Sequence, residues 1–346
     1  MAEIITFTNQ KGGVGKTSLA MNFGVRLKMA GARVLFVDMD PQGNLTYTMG
    51  IDHAEVTVYD LLLGRRTARE AILHAAECDI IASSPGLSTF NLTQAGTGKE
   101  YLLRNALQPV TADYDFIVID SPPTLGILTI NILTAANSVM IPALADVFSL
   151  QGIGQLYTTI QTVQANSNPK LRIAGIVLSR HTDRLLLSRE MREMLRSTAE
   201  RLHTRIFESA IRESVVVRES QAMRQSIFRY AARSKQTEDY DRFAAVLLVI
   251  IGAQEHEPDL FLRNIYIVIG LLRRAPDVLL RIQKADGLRP KLPGARPAAC
   301  IVISLNREKS PARNRRREQR KLLPQPAQRW MVLPPPSQVA AITWDS

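Results

Sequence analysis

The stretch Ile4–Ser18, IITFTNQKGGVGKTS, constrains the fold more than any other part of the chain. A β-branched run enters a glycine-rich loop that opens at once into an amphipathic segment, Leu19–Ala30, giving the order strand, loop, helix. Gly12, Gly13 and Gly15 allow dihedrals that a Cβ forbids, so successive N–H groups can turn inward on phosphate oxygens. The helix that begins near Lys16 adds its positive end to the same anion. In such a loop Lys16 reaches the β- and γ-phosphates and the Thr17 hydroxyl ligates Mg2+, with Val14 and Ser18 completing the nucleotide-binding run. The expected ligands are ATP and Mg2+.

The loop departs from the general pattern GxxxxGK[ST] in having Gln10 where that pattern has glycine, and in carrying a second lysine, Lys11, at its entrance. Further on, Ala32–Met39 (ARVLFVDM) reads as a strand buried on both faces and ends in Asp38 and Asp40. Acids at the carboxyl end of a parallel strand project into the crevice where such sheets bind ligands. Tyr114–Asp120 (YDFIVID) repeats the pattern, and Asp120 is the expected Mg2+-side acid. Helical segments are expected at Val58–Ala76, Thr97–Leu107, Leu150–Val163 and Leu185–Leu202, with strands at Asp79–Ser83, Ser138–Pro142 and Leu171–Ser179. Their alternation predicts an α/β fold: a mostly parallel, doubly wound sheet with helices on both faces.

Of the 346 residues 46% are apolar, enough for one large domain plus an extension. Cys78 and Cys300 form no CxxC, so neither a disulfide framework nor a thiolate metal site is implied, which suits a reducing cytoplasm. The chain opens on its first strand, so no signal peptide is expected, and no run reaches the roughly 18 apolar residues of a membrane span. The net charge of +11 is uneven: residues 251–346 hold 17 Lys/Arg against 8 Asp/Glu, and 11 of the 18 prolines. A boundary is therefore expected near residue 250, with an ATPase-type domain over 1–250, an amphipathic helical segment over 251–283, and a Pro/Arg-rich, disordered tail over 284–346.

Taken together, KGGVGKTS, VLFVDMDPQGNLT, YDFIVIDSPPTLGILTINILTAANSVMIPA, SLQGIGQL and LSRHTDRLLLSREM resemble, in order, the motifs of the ParA/Soj partitioning ATPases, a deviant Walker A branch of the P-loop ATPases. The resemblance runs to about residue 248. MinD-type proteins differ where this chain has DPQGN, and nitrogenase iron protein needs cysteines this chain lacks. The resemblance implies that Lys16 binds phosphate, Thr17 binds Mg2+, Lys11 acts in trans on the nucleotide of a partner copy, Asp40 orients the attacking water, and Asp120 is the Walker B acid. Asp38 is either a further Mg2+-side acid or structural. The family's cycle is a homodimer formed on ATP binding, non-specific DNA binding by that dimer, and slow hydrolysis stimulated by a ParB-type partner. A nucleoid-associated, cytoplasmic protein without membrane binding follows from it.

Basic residues gather between Arg205 and Lys235, and Arg212, Arg218, Arg224, Arg229 and Lys235 are the candidate DNA contacts, since non-specific affinity comes from neutralising phosphates. Their spacing does not put them on one helical face, and a solvated basic surface is the alternative. No helix-turn-helix is evident, so contact to the DNA backbone is expected. The segment Leu260–Leu280 admits a second reading, a MinD-like ATPase recruited to membranes through an amphipathic helix and regulating division-site or polar protein placement. The basic block around Arg313–Lys321 either adds DNA affinity or belongs to an unselected extension.

Overall fold

A computed structural model of the chain describes residues 1–90, 97–181, 186–207 and 209–253, together with the strands 279–284, 301–306 and 331–333. It divides into two units, Met1–Ile251 and Gly252–Ser346. The first is built on a seven-stranded sheet. In chain order its elements are β1 (Glu3–Phe7), α1 (Lys16–Met29), β2 (Val34–Asp38), α2 (Asn44–Thr48), α3 (Val58–Leu62), α4 (Ala68–Ala71), β3 (Ile72–His74), β4 (Asp79–Ile81), α5 (Leu102–Leu107), β5 (Phe116–Asp120), α6 (Ile127–Ala135), β6 (Ser138–Ala143), α7 (Val147–Asn166), β7 (Arg172–Leu178), α8 (Leu186–Arg201), α9 (Val215–Ala222), α10 (Ile227–Tyr230) and α11 (Lys235–Ala253).

The strand order is β3-β4-β2-β5-β1-β6-β7, with every pairing parallel except β3 against β4. The expected α/β fold is thus the observed one. Strands β1, β2 and β5 are buried along their whole length, as a sheet covered on both faces requires. Alternate side chains serve the two layers: Leu35, Val37, Ile117 and Ile119 join the core cluster that includes Leu103 of α5, Ile132 of α6 and Ile153 of α7. On the opposite face Phe7 of β1 meets Phe23 of α1 and Phe243 of α11, with ring centroids 5.7 and 6.2 Å apart. The chain leaves β1 toward β2 on one side and later returns through β6 and β7 on the other. This change of direction sits at β1 and opens a crevice at the strands' carboxyl ends.

Helix α1 lies on this sheet because residue 24 is glycine. A Cβ there would stand 2.4 Å from two ring carbons of Phe36 and 3.4 Å from Val34. Phe36 is fully buried, so its ring has nowhere to go. Gly24→Ala is expected to cost about 1–3 kcal/mol through overpacking, read as a lower denaturation midpoint in urea with an unchanged slope.

Two expectations are corrected. Val58–Ala76 is not one helix: Gly64, at φ 66°, closes α3, and Thr67 starts α4 through a capping box with Glu70. Ile72–His74 then extends to pair antiparallel with β4. Within Thr97–Leu107, the first turn is a 3-10 turn at Lys99–Tyr101 ahead of α5. In the second unit, β8 (Leu279–Lys284), β9 (Ile301–Asn306) and β10 (Met331–Leu333) form an antiparallel sheet in the order β10-β9-β8. The prolines of the tail are expected to prevent long regular elements, and the two strands described within it, β9 and β10, are six and three residues long, the β-branched run IVISLN falling between Pro297 and Pro311. The helical expectation for 251–283 lies outside the described residues, apart from the end of α11 and the start of β8. Among the described residues, no helix is long and apolar enough to cross a membrane.

Candidate nucleotide site

The phosphate loop joins β1 to α1 at the centre of the crevice. Gly13 and Gly15 take left-handed dihedrals, φ 72° and 80°, and Gly12 has open space where a Cβ would stand. Helix α1 begins at Lys16 with no side-chain cap and no acid in its first turn, so its first N–H groups are left for an anion. Lys16 is 6% exposed and its Nζ donates to the Lys11 carbonyl at 3.2 Å, arching back over the loop.

The two strand-end acids meet because β2 and β5 are neighbours in register, Asp38 opposite Asp120. Both are fully buried. Thr17 Oγ1 donates to Asp120 Oδ2 at 2.6 Å, the pairing expected of a threonine and an acid that share Mg2+. Asp38 accepts from the Thr46 N–H and hydroxyl at 2.8 and 2.7 Å and from the Asp40 N–H at 3.1 Å, which ties it into the turn after β2. Asp40 accepts from the Gln42 N–H at 3.0 Å and lines the cavity.

Three buried carboxylates therefore gather beside the loop, and two of them, Asp120 and Asp40, attract the Lys16 ammonium. Burial pushes Asp38 up to about 6 and holds Asp120 well above the usual carboxylate range, the charge of Asp38 adding to the latter. Asp40 is also raised by burial, while burial lowers Lys16 against the attraction of Asp120 and Asp40. An excess of hard, buried oxygen ligands beside an uncapped helix N-terminus fits a divalent cation together with a phosphate chain. Mg2+ bound there would be held from Thr17 and Asp120, and it would neutralise charge on the phosphates.

The cavity measures about 550 Å3 and extends from Gly12–Ser18 past Asp40 to Ser214, Val217 and Gln221. Lys11 is not part of its lining. Its Nζ lies 2.5 Å from Asp146 Oδ2 and 5.8 Å from the ring centre of Phe148, at the start of α7. The five basic candidates differ in their surroundings. Arg212 is paired with Asp239 at 2.6 Å, and Arg224 with Asp52 at 2.5 Å while it stacks on Tyr47. Arg212 and Arg218 line the nucleotide cavity, and Arg218, Arg229 and Lys235 are exposed.

Asp146, Ser179, Arg180 and Thr46 touch the loop or its acids without having been picked out from the sequence. Asp146 caps α7 through Ser149, a D-x-x-S pattern visible in the sequence, but its pairing with a residue 135 positions away is not.

A family model described as an AAA domain matches residues 2–173. The chromosome partitioning protein ParA of Myxococcus xanthus is 37% identical over 246 residues, which cover 69% of this chain and 86% of that protein. The chain belongs to the ParA/Soj family. Soj of Bacillus subtilis, a sporulation initiation inhibitor, is likewise 37% identical, over 69% of this chain and 96% of its own length. Among solved structures, a cobyrinic acid a,c-diamide synthase of Mycobacterium smegmatis with bound ATP analogue and magnesium superposes with a TM-score of 0.63 at 32% identity, covering 72% of this chain and 94% of that one. The family model's match lies within the first unit, Met1–Ile251, and the chain shares the fold of these P-loop ATPases.

Proposed function

We propose that this ParA/Soj protein is an ATP-driven dimerisation switch that binds DNA non-specifically and partitions a chromosome or plasmid, hydrolysing ATP slowly until a ParB-type centromere-binding partner stimulates it. The observation that carries this reading is the direction of Lys11. Its ammonium turns away from its own cavity to Asp146, while Lys16, a lining residue, arches back over the loop. A lysine so placed has no phosphate of its own to bind, and it lies at the rim where a second copy would approach. The pair is partly exposed, 28% and 34% for the two side chains, so exchanging Asp146 for a partner's phosphate costs about 1 kcal/mol or less.

In the proposed cycle Lys16 and the loop N–H groups hold the phosphates, and Thr17 and Asp120 hold Mg2+, with Asp38 as a further Mg2+-side acid. Asp40 holds the attacking water through its carboxylate, and Lys11 of the partner copy neutralises charge on the transferred group. The exposed Arg218, Arg229 and Lys235 are the better DNA contacts of the five, since Arg212 and Arg224 would first have to leave acidic partners. The domain over 1–250 carries this activity, in the cytoplasm at the nucleoid.

Lys11→Gln is expected to bind ATP and remain monomeric, checked by light scattering with and without a slowly hydrolysed ATP analogue. Dimerisation of that variant to the wild-type extent would refute action in trans. Duplex DNA retention at rising salt, run beside sedimentation with anionic vesicles, tests the output. Retention that is ATP-dependent and weakens with salt is expected, and vesicle binding without DNA binding would overturn the reading in favour of a membrane-recruited regulator.

A further inference from the structure

A phosphate loop binds an anion only if its N–H groups face inward, so its carbonyls must be held outward. Among the described residues, no acceptor takes the N–H of Gly12, Gly13, Val14 or Gly15. The carbonyls of Gly13, Val14 and Gly15, by contrast, are engaged. Two of the donors come from consecutive residues at the end of β7. Ser179 Oγ donates to the Val14 carbonyl at 2.6 Å, and Arg180 Nη1 donates to the Gly13 carbonyl at 3.2 Å.

Each donor is itself held in place. Ser179 is 3% exposed, and its N–H donates to the Ala143 carbonyl at 2.9 Å, so β6 fixes its position. Arg180 sits at φ 51°, a left-handed conformation that is uncommon for a residue with a Cβ. Its Nε and Nη2 both donate to Glu213 Oε1, at 3.2 and 2.7 Å. Glu213 is placed in turn by its own N–H, which donates to the His181 carbonyl at 3.1 Å. Both Arg180 and Glu213 line the cavity, so the guanidinium ties the phosphate loop to the segment that forms the far wall. Strain kept at a residue that braces a binding loop points to a role in binding, because folding alone would favour glycine there.

We infer that Ser179 and Arg180 are positioning residues for nucleotide, which fix the Val14 and Gly13 peptides with their N–H groups toward the phosphates, and that Glu213 aims Arg180. The inference rests on the nucleotide reading of the same cavity. Preorganised N–H groups need no reorientation when the anion arrives, so the loss on removing either donor appears in affinity.

The test is titration of the full-length protein with a fluorescent ADP analogue and Mg2+, with thermal unfolding measured on each variant. Arg180→Gly separates binding from folding, because glycine meets no Cβ penalty at this φ. It is expected to hold its unfolding temperature while binding about tenfold more weakly, the size of one hydrogen bond from a charged donor partly screened by water. Ser179→Ala is expected to lose affinity to a similar degree. Arg180→Lys keeps a single donor and should recover part of the loss, which a purely structural role would not give. Wild-type affinity in both Arg180→Gly and Ser179→Ala, with wild-type stability, would overturn the inference while leaving the nucleotide site intact. Failure of the wild-type protein to bind the analogue would overturn the nucleotide reading itself, and this inference with it.

Discussion

Lys16→Ala is expected to abolish useful nucleotide binding, with the dissociation constants for ATP and ADP rising at least roughly 100-fold, as loss of a desolvated, charge-assisted contact to phosphate implies. Lys16 is the lysine that lines the cavity at the loop, and it is buried with its Nζ poised over the Lys11 carbonyl. Lys11 cannot substitute for it, because that ammonium is directed at Asp146. The substitution also removes the positive charge that offsets Asp40 and Asp120. Isothermal titration with Mg2+ and an ATP analogue reads the effect, and far-ultraviolet circular dichroism checks that the fold is retained. An affinity within a few-fold of wild type would remove Lys16 from the phosphate-binding role.

Asp40→Ala is expected to do the opposite to binding and turnover: ATP is retained, and hydrolysis falls by about 100-fold or more, the usual loss on removing a positioned acid or base. The ATP-bound state should then persist, seen as a long-lived dimer by size-exclusion chromatography with light scattering. The carboxylate faces the cavity from the turn after β2, next to Lys16 but outside the Thr17–Asp120 pair that would hold the metal. The turn itself should survive truncation, since the backbone carbonyl of Asp40 still accepts from Ser83 Oγ and from the Gly43 N–H at 2.5 and 2.9 Å. Asp40→Asn, which keeps an acceptor for the Gln42 N–H, distinguishes loss of the charge from loss of the turn. Normal turnover in Asp40→Asn would contradict a role in orienting water. The two substitutions therefore separate the functions of two neighbouring residues of one cavity.

The strand, loop and helix around Gly12–Thr17 were legible in the sequence because each depends on neighbours along the chain. Glycines set the loop's dihedrals, β-branched residues set the strand, and the helix follows directly. Asp38 and Asp120 were also legible as strand-end acids, because a buried parallel strand reads as an unbroken apolar run that stops at its ligand end. Local reasoning failed at Val58–Ala76, where apolar spacing suits a helix but Gly64 and the Thr67 capping box divide it. Only the antiparallel pairing to β4 decides that Ile72–His74 extends.

By itself the sequence determined the nucleotide loop, the α/β class, the family and the identity of the acids at the strand ends. Tertiary structure decided which of them meet. Register between β2 and β5 brings Asp38 opposite Asp120, 82 positions further along the chain, and the return of the chain through β6 and β7 delivers Asp146 to Lys11 and Ser179 with Arg180 to the loop. The physical reason is that a motif's own dihedrals and propensities are encoded within a few residues, whereas the direction of an ammonium or a carbonyl is set by whichever partner the sheet order places beside it. Lys11 was visible as a lysine at the entrance of a phosphate loop, but that it faces away from its own cavity belongs to the fold.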